Sequence, residues 1–206
     1  MLQFITNANN IHELVKQVKN AIDGGCNWIQ LRMKDASYQQ QKEAAEAIIP
    51  ICRNADAILI IDDNVELVNE LKVHGVHLGK NDMPVAQARE LLGPGAIIGA
   101  TANTADDILA LKGIDVDYVG LGPFRFTTTK KNLSPILGID GYKKVIETIR
   151  QAGCELPVVA IGGISIDDIS DIMATGVQGI AMSGAITNAE NPTKYTVDTI
   201  SMLQNL

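Results

Sequence analysis

Asp117-Tyr-Val-Gly-Leu-Gly-Pro-Phe-Arg-Phe-Thr-Thr-Thr-Lys-Lys131 begins as an apolar run and ends in three hydroxyls and two ammonium groups. Tyr118 to Leu121 has the continuous hydrophobicity of a strand buried on both faces, and Gly122-Pro123 stops it. A buried strand that opens into small, hydrogen-bonding, cationic residues suits a bound phosphate. Val158-Val-Ala-Ile-Gly-Gly-Ile164 and Ile180-Ala-Met-Ser-Gly-Ala-Ile186 repeat the plan. Three strand ends rich in Gly, Ser and Thr point to one shared anion site at one edge of a parallel sheet.

Outward from this stretch, short apolar runs alternate with longer segments of helical period along the whole chain. The predicted strands are 3–5, 28–31, 58–61, 75–78, 97–100, 118–121, 158–161 and 179–182. The predicted helices are 11–23, 38–54, 65–72, 85–92, 105–111, 141–151, 166–174 and 193–206. Asn10, Ser37, Asn64, Asn103 or Thr104, and Ser165 sit where helix N-caps belong, and Gly24, Gly113, Gly153 and Gly176 follow helix ends. Eight strand–helix units without a linker predict a single-domain (β/α)₈ barrel over residues 1–206. An open doubly wound sheet competes, but its dinucleotide form wants G-x-G-x-x-G after the first strand, and Gly24-Gly25-Cys26 precedes a strand instead.

The composition narrows the function classes. With a net charge of −7, the chain offers no basic face for nucleic acid or a membrane surface. An anionic substrate would be attracted only by a local cluster, which a divalent cation could reinforce. The three cysteines, Cys26, Cys52 and Cys154, are widely spaced and odd in number, as expected of buried thiols in a reducing compartment. The start of the chain lacks a basic region and a cleavage site, and no apolar run spans a bilayer, so a cytoplasmic protein is expected. Small-molecule substrates are the expected partners, and a homo-oligomer remains open.

If the barrel is right, polar groups should collect at the C-terminal ends of its strands. In Gln30-Leu-Arg-Met-Lys34, alternation places Gln30, Arg32 and Lys34 on one face, toward the mouth. Arg and Lys together suit a polyanion, and an amide can read the edge of an aminopyrimidine-like ring. Asp63 and Asp82, from neighbouring strand ends, make an oxygen-only pair that suits Mg²⁺; helix capping is the alternative for each. Thr127, Thr128, Thr129 and Lys130 or Lys131 form the phosphate loop, with Gly162-Gly163 and Ser183-Gly184 opposite. His12 reads as a surface residue, His74 and His77 as packing or capping, and Trp28 as barrel wall. No Ser-His-Asp or Cys-His set can be assembled at these strand ends.

These motifs, in this order, resemble the thiamine phosphate synthase (thiamine-phosphate pyrophosphorylase) family. Gln30-Leu-Arg-Met-Lys34, Asp62-Asp63, Gly75-Val-His-Leu-Gly79 with Asp82, Gly99-Ala-Thr101, Asp117 to Pro123, Thr127-Thr-Thr-Lys130, Ala160-Ile-Gly-Gly-Ile164 and Ser183-Gly-Ala-Ile186 carry the likeness over residues 2–206. The resemblance implies a transferase that joins a hydroxymethylpyrimidine diphosphate to a thiazole phosphate and releases pyrophosphate. It implies that Gln30 reads the pyrimidine, Arg32, Lys34 and Lys130 hold the diphosphate, and Asp63 and Asp82 bind Mg²⁺. Thr127, Thr129, Gly163, Ser183 and Gly184 would receive the thiazole phosphate, and Thr101 stands where the family has a Ser near the pyrimidine.

Some positions depart from the family pattern. Asp62-Asp63-Asn64 replaces the usual Asn-Asp-Arg, which sets Asp62 among the substrate-facing positions with a charge a diphosphate would repel. Asp62 must then turn away or join the metal shell, and strand alternation favours turning away. Phe126 replaces a usual Pro, and Arg125 is an extra cation beside the phosphate loop. A thiazole tautomerase-like isomerase and a non-catalytic phosphate-binding barrel of the same fold are the alternative functions.

Overall fold

The computed structural model describes residues 1–33, 35–126 and 135–206. Each apolar run becomes a strand: β1 (Leu2–Ile5), β2 (Trp28–Leu31), β3 (Ile58–Asp62), β4 (Gly75–Leu78), β5 (Ile97–Ala102), β6 (Tyr118–Leu121), β7 (Val158–Ile161) and β8 (Gly179–Met182). They pair in chain order, all parallel, and β8 returns to β1 to close the barrel. Closure rules out the open doubly wound sheet.

The helices follow the strands: α1 (Ile11–Asp23), α2 (Tyr38–Asn54), α3 (Val65–Leu71), α4 (Val85–Leu92), α5 (Ala105–Leu109), α6 (Gly138–Gln151), α7 (Ile169–Met173), α8 (Gly184–Thr187) and α9 (Pro192–Gln204). Their starts are set chemically. Asn10, Asn64 and Thr104 accept from the backbone N–H three residues on, and Ser37 forms a reciprocal capping box with Gln40. Two differences from the predicted elements appear near the mouth: a short 3₁₀ turn, Ile166–Asp168, precedes α7, and the four-residue α8 precedes α9.

Alternation along the strands divides the apolar residues in two. One set, including Ile29, Leu31, Leu59, Ile61, Val76 and Leu78, packs under the helices. The other, Ile5, Trp28, Ile60, Tyr118, Val159 and Ala181, fills the barrel interior. Trp28 and Tyr118 meet edge to face with centroids 4.8 Å apart, an arrangement worth about 0.5–1.5 kcal/mol beyond burial. The interior is therefore a packed plug, and the strand register above it decides which polar groups meet.

Candidate active site

Above the plug, the C-terminal strand ends line a cavity of about 890 Å³. Gln30, Arg32, Asp62, Asp63, Asp82, Thr101, Gly163, Ser183 and Gly184 all line it, joined by His77. Lys34, Thr127, Thr128, Thr129, Lys130 and Lys131 lie outside the described residues.

Register explains the first group. Gln30 pairs with Ile60 and Asp62 with His77, so Gln30, Asp62 and His77 occupy successive inward positions. The Gln30 side-chain N–H donates to Asp62 Oδ1 at 2.6 Å, and Arg32 Nε lies 3.2 Å from Asp62 Oδ2. Arg32 is fixed from behind as well, because its backbone N–H donates to Thr6 Oγ1 at 3.0 Å. The expectation that Asp62 turns away is therefore corrected: Asp62 points into the mouth and holds Gln30 and Arg32 together. Alternation does operate along β3, but Ile58, Ile60 and Asp62 are its inward members.

Asp63 reaches the cavity by another route. It lies beyond the end of β3 with φ of 64°, a left-handed conformation that redirects its side chain. Its N–H donates to the His77 carbonyl at 2.8 Å. Asp82 is anchored by accepting from the Gly79 N–H at 2.7 Å. Neither carboxylate caps a helix: Asn64 caps α3, and α4 follows Pro84 without a side-chain cap. Asp63 shares a hydrogen bond with Asp82, and burial, then the charges of Asp62 and Asp82, push its pKa up to about 7. Two carboxylates held together in this way are short of positive charge. Among the described residues no cluster of three or more His, Cys, Asp or Glu side chains is placed to enclose a metal. The pair thus suits a cation that completes its shell with water and ligand oxygens.

The opposite wall is built for close approach. Gly162 and Gly163 have φ of 100° and 71°, and a Cβ on Gly162 would lie 2.8 Å from Pro123 Cα. No other residue fits where the β6 and β7 loops touch. Tyr142 of α6 ties the two strand ends, donating to the Leu121 carbonyl and accepting from the Ile161 N–H at 3.2 Å. Arg125, the extra cation, forks onto Asp168 at 2.7 and 3.0 Å and donates to the Gly163 carbonyl at 3.1 Å. Its charge is committed to bracing the β7 loop. Among the described residues, the buried Oγ of Ser183, at the start of α8, has no hydrogen-bond partner, and neither does the buried Oε1 of Gln30. Buried polar atoms of this kind ordinarily find a partner, and in a cavity wall that partner is a ligand or water.

His77 is the site residue that sequence reasoning missed. It is 8% exposed, with Nδ1 at 3.0 Å from Tyr118 Oη and Nε2 at 3.0 Å from Thr101 Oγ1. The other histidines behave as expected: His12 is exposed, and His74 Nδ1 accepts from the Leu59 N–H at 3.0 Å.

The profile of the thiamine monophosphate synthase family matches residues 2–186. The chain belongs to that family. Relatives named thiamine-phosphate synthase include one from Bacteroides fragilis, 52% identical over 95% of this chain and 96% of its own length. Another, from Bacteroides thetaiotaomicron, is 51% identical over 98% of this chain and 96% of its own. The solved thiamine phosphate pyrophosphorylase from Pyrococcus furiosus superposes with a TM-score of 0.84 at 31% identity, covering 99% of this chain and 95% of that one. By this membership the chain is an enzyme of the transferase class.

Proposed function

We propose that this mouth condenses hydroxymethylpyrimidine diphosphate with thiazole phosphate, giving thiamine phosphate and pyrophosphate. One observation carries the assignment: Gln30, Arg32, Asp63 and Asp82 line the same cavity as Gly163, Ser183 and Gly184. A diphosphate-bearing substrate and a phosphate-bearing one can therefore lie side by side, which supplies proximity without further machinery. The relatives named above are synthases, and the isomerase and non-catalytic readings are not favoured.

Each wall has its task. Arg32 spends Nε on Asp62 and keeps its two Nη groups for phosphate oxygens. Gln30, its amide nitrogen engaged by Asp62, offers Oε1 as an acceptor to an exocyclic amino group. Ser183 Oγ, the Gly163 backbone and the first N–H groups of α8 receive the second phosphate. Asp63 and Asp82 would hold Mg²⁺, which would neutralise charge growing on the departing diphosphate. Lys34 and Lys130 are assigned to the diphosphate, and Thr127 and Thr129 to the thiazole phosphate, by family likeness; Thr128 joins them as part of the phosphate loop.

In the reaction, the bond from the pyrimidine methylene to the diphosphate oxygen breaks, and its electron pair leaves with pyrophosphate. The thiazole nitrogen lone pair forms the new C–N bond. Arg32 stabilises the leaving charge, and no side chain needs to remove a proton. Among the described residues no helix is long and apolar enough to cross a membrane. Three buried free thiols support a cytoplasmic setting.

The test is pyrophosphate release from purified protein given both substrates, with Mg²⁺ and with a chelator. Metal-dependent release that requires both substrates is expected. Conversion of the thiazole phosphate alone, without pyrophosphate, would replace the synthase with an isomerase.

A further inference from the structure

A file of hydrogen bonds runs through the barrel interior from β1 to the mouth. Gln3 Nε2 donates to Tyr118 Oη at 3.1 Å; Tyr118 Oη lies 3.0 Å from His77 Nδ1; and His77 Nε2 lies 3.0 Å from Thr101 Oγ1. Gln3 is 2% exposed, Tyr118 4% and His77 8%, whereas Thr101 lines the cavity. The barrel makes room for this file at two glycines. A Cβ on Gly99 would lie 2.2 Å from Tyr118 Cζ, and one on Gly120 would lie 3.0 Å from His77 Cε1. Alanine at Gly99 is excluded by the ring, so the space is reserved for Tyr118.

The donors fix the direction of the file. An amide nitrogen only donates, so Tyr118 Oη accepts from Gln3. Burial raises the Tyr118 pKa above its ordinary value, so the phenol keeps its proton. That proton needs an acceptor, and His77 Nδ1 is at hydrogen-bond distance. With Nδ1 accepting, the imidazole carries its hydrogen on Nε2 and donates to Thr101 Oγ1. The threonine hydroxyl, its oxygen engaged from behind, is left to donate its own hydrogen into the cavity.

We infer that Gln3 and Tyr118 are positioning residues that hold His77 as the Nε2–H tautomer and thereby make Thr101 a hydrogen-bond donor to the substrate. The ligand group it selects is an uncharged acceptor, such as a ring nitrogen of an azine. Identifying that azine with the pyrimidine rests on the synthase assignment; the tautomer does not. Set beside Gln30 Oε1, an acceptor, Thr101 completes a donor–acceptor pair of the kind that reads an aminopyrimidine edge.

The experiment is a long-range ¹H–¹⁵N correlation spectrum of ¹⁵N-histidine-labelled protein without substrate, with His77 assigned. An unprotonated Nδ1 and a protonated Nε2 on His77 support the inference; a protonated Nδ1 overturns it. This holds whether or not the protein releases pyrophosphate, so failure of the synthase assignment is seen separately. Tyr118→Phe should abolish the single tautomer and lower kcat about tenfold, with KM for either substrate within about twofold. Gln3→Leu, which leaves the phenol in place, should weaken the tautomer preference less. Thr101→Ser should retain turnover and Thr101→Val should lose it. A folded Tyr118→Phe with an unchanged histidine spectrum and unchanged kcat would also overturn the inference, and if that variant fails to fold, the wild-type spectrum decides.

Discussion

Gln30 and Asp62 face each other across β2 and β3, amide nitrogen to carboxylate oxygen, at 2.6 Å. The same carboxylate holds Arg32 Nε, with the two side chains only 21% and 14% exposed. A charge that would repel a diphosphate in isolation instead organises the two groups that meet it. Asp62 is thus a brace within the site, and its negative charge is opposed by the guanidinium it positions.

Asp62→Ala should leave Gln30 and Arg32 without their shared partner, a loss of about 1–3 kcal/mol for buried polar groups. The expected outcome is a KM for the pyrimidine diphosphate raised tenfold or more. Asp62→Asn keeps an acceptor for Gln30 and should fall between. Steady-state kinetics on the two variants checks this, and a gain in affinity for Asp62→Ala would show that repulsion dominates.

Asp63→Ala and Asp82→Ala should each lower metal-dependent turnover by at least a hundredfold while circular dichroism stays that of the folded barrel. Wild-type rates in either variant would mean that the carboxylates have no part in holding a cation.

The raised pKa of Asp63 has a thermodynamic consequence. In the unfolded chain an Asp titrates near 4, and in the folded metal-free protein burial, Asp62 and Asp82 push Asp63 up to about 7. Between these values the folded state binds more protons, so this group's contribution to stability is present below about pH 4 and is lost as pH rises through about 7. Asp63→Asn should flatten that part of the Tm profile. Mg²⁺ should raise Tm more at pH 8 than at pH 5, which thermal melts with and without the metal will show.

Ser183→Ala separates binding from folding. Its Oγ is buried without a partner among the described residues, so removing it should leave Tm unchanged or raised. The KM for thiazole phosphate should nevertheless increase about tenfold. A large fall in Tm would assign the hydroxyl to the fold instead.

Much of this architecture can be read from local chemistry. The apolar runs mark all eight strands to within two residues, because strands buried on both faces have no polar alternation to blur them. Asn10, Ser37 and Asn64 cap helices as their side chains predict. The four residues of α8 are too few for a periodicity, and so that helix goes unseen. Asp63 reaches the mouth as its chemistry suggests, but Asp62 faces it too: opposite orientations for the pair presume extended backbone, and φ of 64° at Asp63 breaks the presumption. His77 was hidden for another reason: its role depends on Gly99, Thr101, Tyr118 and Gly120, which only closure of the barrel brings around it. Arg125 looked available for phosphate until the fold placed Asp168 against it.

On the proposed function, a single mouth holds both phosphorylated substrates and a divalent cation. The most direct measurement follows pyrophosphate and thiamine phosphate together in one reaction containing both substrates. The two products should form in equal amounts with Mg²⁺, and neither should form when the metal is chelated or either substrate is withheld. Pyrophosphate appearing without thiamine phosphate, or product forming at an undiminished rate in chelator, would contradict the proposed function.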